Sequence, residues 1–163
     1  ISCDLNILQL VQPVLRAGKW QVTVALRDGQ HIVGIWPGLK ERIAGVAIDV
    51  GSTTMSAHMC DMVTGEVLAS TGAMNPQIRF GEDLMSRVSY GIMNPGGDRE
   101  MTATGIEGLQ TLILGAAEQA GLTTKDVLEI VLVGNPVMHH LLLGIDPVEL
   151  GGAPFALAVD IFF

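Results

Sequence analysis

The chain has 163 residues, nine Lys and Arg against 17 Asp and Glu, and a net charge of −8. This acidic balance excludes a protein that binds nucleic acid or an anionic membrane through bulk positive charge. Cys3 and Cys60 are too few for a disulfide framework or an iron–sulfur cluster, and no apolar run could span a bilayer, so we expect a cytoplasmic protein.

The first part of the chain is predicted to form one helix and one β-hairpin. Apolar residues recur at helical spacing over residues 5–16, and residues 21–27 and 31–36 alternate as strands do. Asp28 and Gly29 lie between the two strands. This pair is typical of a type I′ turn, in which both central residues have positive φ.

The charge divides the chain into two units. Residues 1–43 carry five bases and three acids, whereas residues 44–163 carry four bases and 14 acids. The polar residues 37–42 are interpreted as a linker. We therefore expect residues 1–43 to be the end of a preceding linker or middle domain. Residues 158–163 are left as an unassigned tail.

The second unit has the pattern of an α/β domain. Residues 45–50 form a continuous apolar run, which predicts a central strand buried on both faces. Residues 54–61 and 66–73 follow after short turns, so these three strands should form an antiparallel meander. Residues 127–133 predict a further buried strand.

Three helices are predicted around these strands. One covers residues 81–90, with acidic residues in its first turn. After a break at residues 94–97, apolar residues recur at helical spacing from 106 to 120. In the last helix, Asn135 is predicted to be the N-cap and Pro136 the first helical residue.

The segment after the first strand of this unit is the main candidate for chemistry. A hairpin would need only the glycine, whereas Asp49, Gly51, Ser52, Thr53 and Thr54 together suit a polyphosphate. The glycine lets the backbone approach a ligand, and the amides and hydroxyls can donate to phosphoryl oxygens. The aspartate could hold Mg²⁺ or orient water. The alternative is a polar hairpin whose aspartate caps the turn.

A second polar cluster precedes the first helix of this unit. Arg79 could neutralise a phosphate or an acidic partner, and Asn75 is grouped with it as a contact residue. The alternative is an ordinary loop that leads into an acidic helix start. That alternative is favoured for Glu82 and Asp83.

Three separated segments resemble the reductive activators of corrinoid proteins. They are GVAIDVGSTT at residues 45–54, AMNPQIRFGED at 73–83 and VGNPVMHHLLLG at 133–144. The resemblance covers about residues 20–157. That family uses ATP to return inactive Co(II) corrinoid of methyl-transfer proteins to Co(I).

The resemblance implies a nucleotide domain like those of sugar kinases, heat-shock proteins and actin, with ATP between two ribonuclease-H-like halves. Residues 44–157 would be the first half, and the turn with Asp49 would be its first phosphate motif. Gly134 and Asn135, in the third segment, join the nucleotide-binding candidates. The implied cofactors are ATP and Mg²⁺, with Asp49 as the magnesium contact.

The same resemblance implies that this segment is a fragment. The second half is expected after it, and a [2Fe-2S] cluster is expected only outside it. ATPase activity is expected of the full-length protein, with a corrinoid methyl-transfer protein as partner, and a homodimer is left open. Two alternatives remain, a small-molecule kinase of the same superfamily and a non-catalytic docking module.

Overall fold

The computed structural model describes residues 1–158, which form two β-sheets with helices packed against them. The residues from 159 onward lie outside this description. Of the predicted tail, residues 158–163, only the first residue is therefore described. In the described part, no helix combines the length and the apolar character needed to cross a membrane.

The smaller sheet contains the predicted hairpin. It has the strand order β1-β3-β2, and its elements are β1 (Ser2–Cys3), α1 (Leu5–Ala17), β2 (Val22–Arg27) and β3 (His31–Pro37). Asp28 and Gly29 have φ angles of 52° and 69°, as the predicted type I′ turn requires. The short strand β1 is not predicted by the sequence, because two residues carry no periodicity.

The larger sheet has the strand order β6-β5-β4-β7. Its strands are β4 (Ala44–Val50), β5 (Thr54–Asp61), β6 (Val67–Met74) and β7 (Val127–Gly134). β4, β5 and β6 form the predicted antiparallel meander, and β7 pairs with β4 in parallel. The predicted meander, extended by one parallel strand, is therefore confirmed. The prediction that residues 127–133 form a buried strand is wrong, because β7 is an edge strand in which Ile130, Val131 and Val133 are about half exposed.

The larger sheet is covered by helices on one face only. The helices are α2 (Leu84–Met93), α3 (Gly97–Gln119) and α4 (Pro136–Leu143). Val46, Ile48 and Val50 belong to the core beneath them, whereas Ala47 and Asp49 are exposed on the opposite face. The prediction that β4 is buried on both faces is therefore wrong for this chain. An apolar run shows that a strand is suited to burial, but it does not show what covers it.

The segments before α2 and α3 differ from the prediction in detail. The loop contains a 3₁₀ helix, Pro76–Phe80, and α2 begins only after Asp83. Asp83 is the N-cap of α2, and its carboxylate accepts from the Ser86 N–H at 2.7 Å, which lowers the pKa of Asp83. The break before α3 is a single sharp turn at Gly96, with φ of 85°.

The predicted linker is tied to both units by hydrogen bonds. The Lys40 N–H donates to Thr23 Oγ1 at 2.9 Å, and that hydroxyl donates to the Gly38 carbonyl at 2.7 Å. The Lys40 ammonium donates to the carboxylate of Asp126, which lies directly before β7. These bonds connect the smaller sheet to the larger one.

This ion pair predicts a pH-dependent contribution to stability. The bond from Lys40, with help from the Thr123 N–H, lowers the pKa of Asp126 from 3.8 to about 2. Because the folded state favours the charged carboxylate, the stabilisation is present above about pH 4 and is lost as the pH falls towards 2. We expect Asp126→Asn to lower the free energy of unfolding by about 1 kcal/mol at pH 6 and by nearly nothing at pH 2. Urea unfolding at both pH values measures this difference, and a difference that does not change with pH contradicts it.

Candidate functional site

The structure brings the first and third sequence motifs to one edge of the larger sheet. β4 and β7 are parallel, and Asp49 and Val50 lie beside Val133 and Gly134. The carboxyl ends of both strands therefore meet at this edge, which is where parallel sheets bind ligands. Asp49 is exposed here on the face of the sheet away from the helices.

The turn between β4 and β5 has its carbonyl groups held inward. The Asn75 side chain donates to the Gly51 carbonyl at 2.9 Å, and the Asn75 N–H donates to the Thr53 carbonyl at 2.8 Å. The Ser52 carbonyl between them accepts from the guanidinium of Arg87. Three successive carbonyls thus have donors inside the protein.

This arrangement determines where the amides of the turn point. In a planar trans peptide, the N–H points away from the carbonyl of the preceding residue. The N–H groups of Ser52 and Thr53 therefore face away from the protein interior, and neither donates to another atom of the described chain. Successive outward amides form a concave anion-binding surface.

The side chains around the turn leave this surface open. Thr53 and Thr54 are exposed and Ser52 is half-buried, so their hydroxyls line the outer side of the turn. At Gly51, a Cβ atom would lie 2.6 Å from the Thr54 carbonyl oxygen, so only glycine fits this close approach. The arrangement offers amides and hydroxyls to an anion and the carboxylate of Asp49 to a cation.

Gly134 and Asn135 form the second part of the same edge. A Cβ atom at Gly134 would lie 3.0 Å from the Val50 carbonyl oxygen, so glycine allows β7 to end close against β4. The Asn135 side chain accepts from the Met138 N–H at 3.0 Å and caps α4, with Pro136 following it as predicted. The N-terminus of α4 therefore lies at this edge, while direct contact of Gly134 or Asn135 with a nucleotide stays a prediction.

Asn75 is placed beneath the turn. It is 1% exposed, and its side-chain oxygen accepts from the Gln77 N–H at 2.9 Å. Its amide nitrogen donates to Gly51 and lies 3.7 Å from the Met138 sulfur. Asn75 therefore supports the turn, and contact with an anion or a partner would require these bonds to break.

Arg79 makes no hydrogen bond to the turn within residues 1–158. It is exposed, donates to the Thr104 hydroxyl at 2.7 Å, and its guanidinium lies 4.7 Å from the centre of the Phe80 ring. It lines a separate groove of about 320 Å³ between α3 and the ends of β5 and β6. Its assignment as an anion or partner contact remains a prediction about that groove.

Arg87 is the residue of this site that sequence reasoning missed. It is completely buried, and it donates to the carbonyls of Ser52 and Gly81, the latter at 3.0 Å. Burial lowers its pKa because the charged form is poorly solvated. The signal was present in the sequence, since Arg87 shares one face of α2 with the apolar Leu84 and Val88.

A second groove of the described chain lies away from the turn. It has a volume of about 440 Å³ and lies between α3 and β7, lined mainly by apolar side chains such as Ile113, Leu114 and Ile130. These residues carry no titratable group. The candidate site therefore stays at the sheet edge with Asp49, because this groove offers no titratable side chain.

Two protein-family models together match nearly the whole chain. Residues 44–162 match a family model described as the RACo middle region, and residues 1–42 match one described as the RACo linker region. The corrinoid activation enzyme RamQ of Eubacterium limosum is 33% identical over 154 residues, which cover 93% of this chain and 26% of that protein.

A solved structure also matches. It is described as a reductive activator for corrinoid, iron–sulfur protein, and it superposes with a TM-score of 0.81 at 31% identity. The match covers 96% of this chain and 26% of the other. The chain thus spans about a quarter of the length of the relatives it matches.

Proposed function

Since the chain belongs to the family of the reductive activators of corrinoid proteins, we propose that it forms the first phosphate-binding part of the ATP site in such an activator. The observation that carries this proposal is the turn at residues 51–54. Its carbonyls are held inward by Asn75 and Arg87, so its free amides point outward, where a phosphate group would bind.

Each residue of the edge has a role in this proposal. The Ser52 and Thr53 amides and the nearby hydroxyls bind phosphoryl oxygens. Asp49, two residues before Gly51, would hold Mg²⁺, directly or through water, or would orient the attacking water. The Mg²⁺ ion, when bound with the nucleotide, supplies positive charge to the phosphates. The N-terminus of α4 adds a favourable dipole at the same edge.

The strand order supports a finer proposal about the fold. Three antiparallel strands extended by a parallel one, with helices on one face, suit a ribonuclease-H-like half of an actin-like ATPase. ATP would lie between this half and a second one. Binding and hydrolysis would shift the two halves and change how a partner is held.

In the whole activator, we propose that ATP hydrolysis drives the return of an inactive Co(II) corrinoid to Co(I). The partner is then a corrinoid protein, which the descriptions of the two relatives support, and we propose that it is one of methyl transfer. A [2Fe-2S] cluster outside this chain would supply the electron. These statements concern the whole protein. The relatives are about four times as long as this chain.

The test of the phosphate site uses the intact protein and two glycine variants. Gly51→Ala places a methyl group against a carbonyl oxygen, whereas Gly72→Ala on β6 meets only the Met55 carbonyl oxygen at 3.7 Å. We expect Gly51→Ala to weaken MgADP binding about tenfold or more, which requires only about 1.4 kcal/mol. Gly72→Ala should bind as the unchanged protein does. Calorimetry measures both, and equal affinities contradict the site.

The reaction products separate the remaining alternatives. An activator that hydrolyses ATP releases free phosphate, whereas a small-molecule kinase makes a phosphorylated product instead. An intact protein that shows no saturable binding of MgATP would favour the docking module. Assays of free phosphate and of phosphorylated product with and without the inactive Co(II) corrinoid partner, together with calorimetry of MgATP binding, distinguish these cases.

A further inference from the structure

Arg87 is a buried cation that lacks an anionic partner. It is 0% exposed, and within residues 1–158 no carboxylate oxygen lies within ion-pair distance of its guanidinium. Its three bonds go to the carbonyls of Ser52 and Gly81 and to the Met138 sulfur, which lies 3.4 Å from Nη1. All its hydrogen-bond acceptors are neutral, and the carboxylate of Asp83 acts on the charge only from beyond ion-pair distance.

Such a charge is unfavourable in the isolated chain. Burial removes water from the guanidinium, and neutral acceptors return only part of that solvation. Burial lowers the pKa of Arg87, while Asp83 on the same helix opposes the change. An arginine nonetheless stays protonated at physiological pH. A negative charge that binds nearby would therefore stabilise the folded protein.

The position of the Arg87 guanidinium indicates where a stabilising anion would bind. One guanidinium nitrogen donates to the Ser52 carbonyl, and the N–H on the other side of the same peptide belongs to Thr53. That N–H faces outward. The cation and an anion on the turn would thus lie on opposite sides of a single peptide group, which the cation polarises towards the anion.

We infer that Arg87 is a positioning residue whose buried charge makes the turn selective for polyanionic phosphate groups over uncharged ligands. The inference rests on the proposed function, and it names the ligand class of that same site. A nucleoside diphosphate or triphosphate gains from the cation, and the corresponding nucleoside does not. The competing explanation is that Arg87 only holds the Ser52 carbonyl in place, in which case its charge is irrelevant.

Variants of Met138 separate charge from structure. Met138 is fully buried against Arg87, so Met138→Glu places a carboxylate beside the guanidinium and leaves the arginine itself intact. Met138→Gln has nearly the same shape without the charge and is the matched control. We expect Met138→Glu to bind MgADP about tenfold more weakly than Met138→Gln, because the cation is then neutralised from inside. Both should bind adenosine equally.

Substitution of Arg87 itself provides a second test in case Met138→Glu does not fold. Arg87→Lys keeps the charge and loses the planar fork, whereas Arg87→Met loses both. MgADP affinity should decrease more in Arg87→Met than in Arg87→Lys, with adenosine affinity unchanged in both. Arg99→Met, at an exposed arginine of α3, is the control and should bind MgADP as before.

Calorimetry on the intact protein, with MgADP and adenosine as the probes, distinguishes the outcomes. An intact protein that does not bind MgADP overturns the proposed function and the inference with it. If the unsubstituted protein binds MgADP, but Met138→Glu and Met138→Gln bind it with equal affinity, the inference alone is overturned. A selective loss of MgADP affinity in Met138→Glu supports both.

Discussion

We expect ATP turnover by the intact protein, on the proposed function, to fall by about a thousandfold when Asp49 is replaced by Asn. Asp49 is the last polar residue of β4, it is exposed at the edge beside the turn, and it lies level with Ser56 and Val133. The substitution keeps the shape of the side chain and removes the negative charge. On the proposed function, the side chain would then no longer hold a magnesium ion or an attacking water in place.

Phosphate release under saturating MgATP measures this effect. Asp28→Asn makes the same atomic change at another exposed aspartate and is the control, because asparagine also tolerates the positive φ of 52° at that position. Binding of MgADP should persist in Asp49→Asn, since the turn is unchanged. Turnover equal to that of Asp28→Asn would remove Asp49 from the mechanism.

The second large effect is on stability. Ile48→Ala is expected to lower the free energy of unfolding by about 3 to 4 kcal/mol. Ile48 is 1% exposed and lies in the strand between β5 and β7, where close neighbours on both sides prevent collapse into the space that is lost. Its neighbour in sequence is Asp49, so loosening this position should also reduce turnover.

Ile130→Ala removes the same atoms at a different place and is the control. Ile130 lies beside Val46 on the edge strand β7 and is 51% exposed, so about 1 kcal/mol or less is expected. Urea unfolding of residues 1–163 measures both variants. Equal losses would mean that the core is not centred on β4.

Local features of the fold were predicted from the sequence. The type I′ hairpin at Asp28 and Gly29 depends on backbone preferences of the two residues in the turn. The meander depends on strands joined by short connections, and the cap at Asn135 depends on bonds within one helical turn. Each of these depends on residues that are close together in the chain.

The coverage of the sheet could not be predicted in the same way. The apolar run of β4 indicated burial on both faces, but helices cover only one, and Ala47 is exposed. Likewise, apolar periodicity did not mark the first turns of α3, because Asp98, Arg99 and Glu100 begin it. Which residues pack against a helix or strand is decided by other parts of the chain. The sequence pattern of that helix or strand contains no information about them.

The candidate site shows the same division. The sequence by itself determined that a carboxylate, a glycine and three hydroxyls lie close together at the end of a strand, because residue types and their spacing carry that chemistry. Only the tertiary structure decided that Arg87 and Asn75, 35 and 24 residues away in sequence from Ser52 and Gly51, hold the turn's carbonyls inward. The physical reason is that a turn's amides are oriented by whatever bonds its carbonyls, and those donors come from distant segments that meet only in the folded chain.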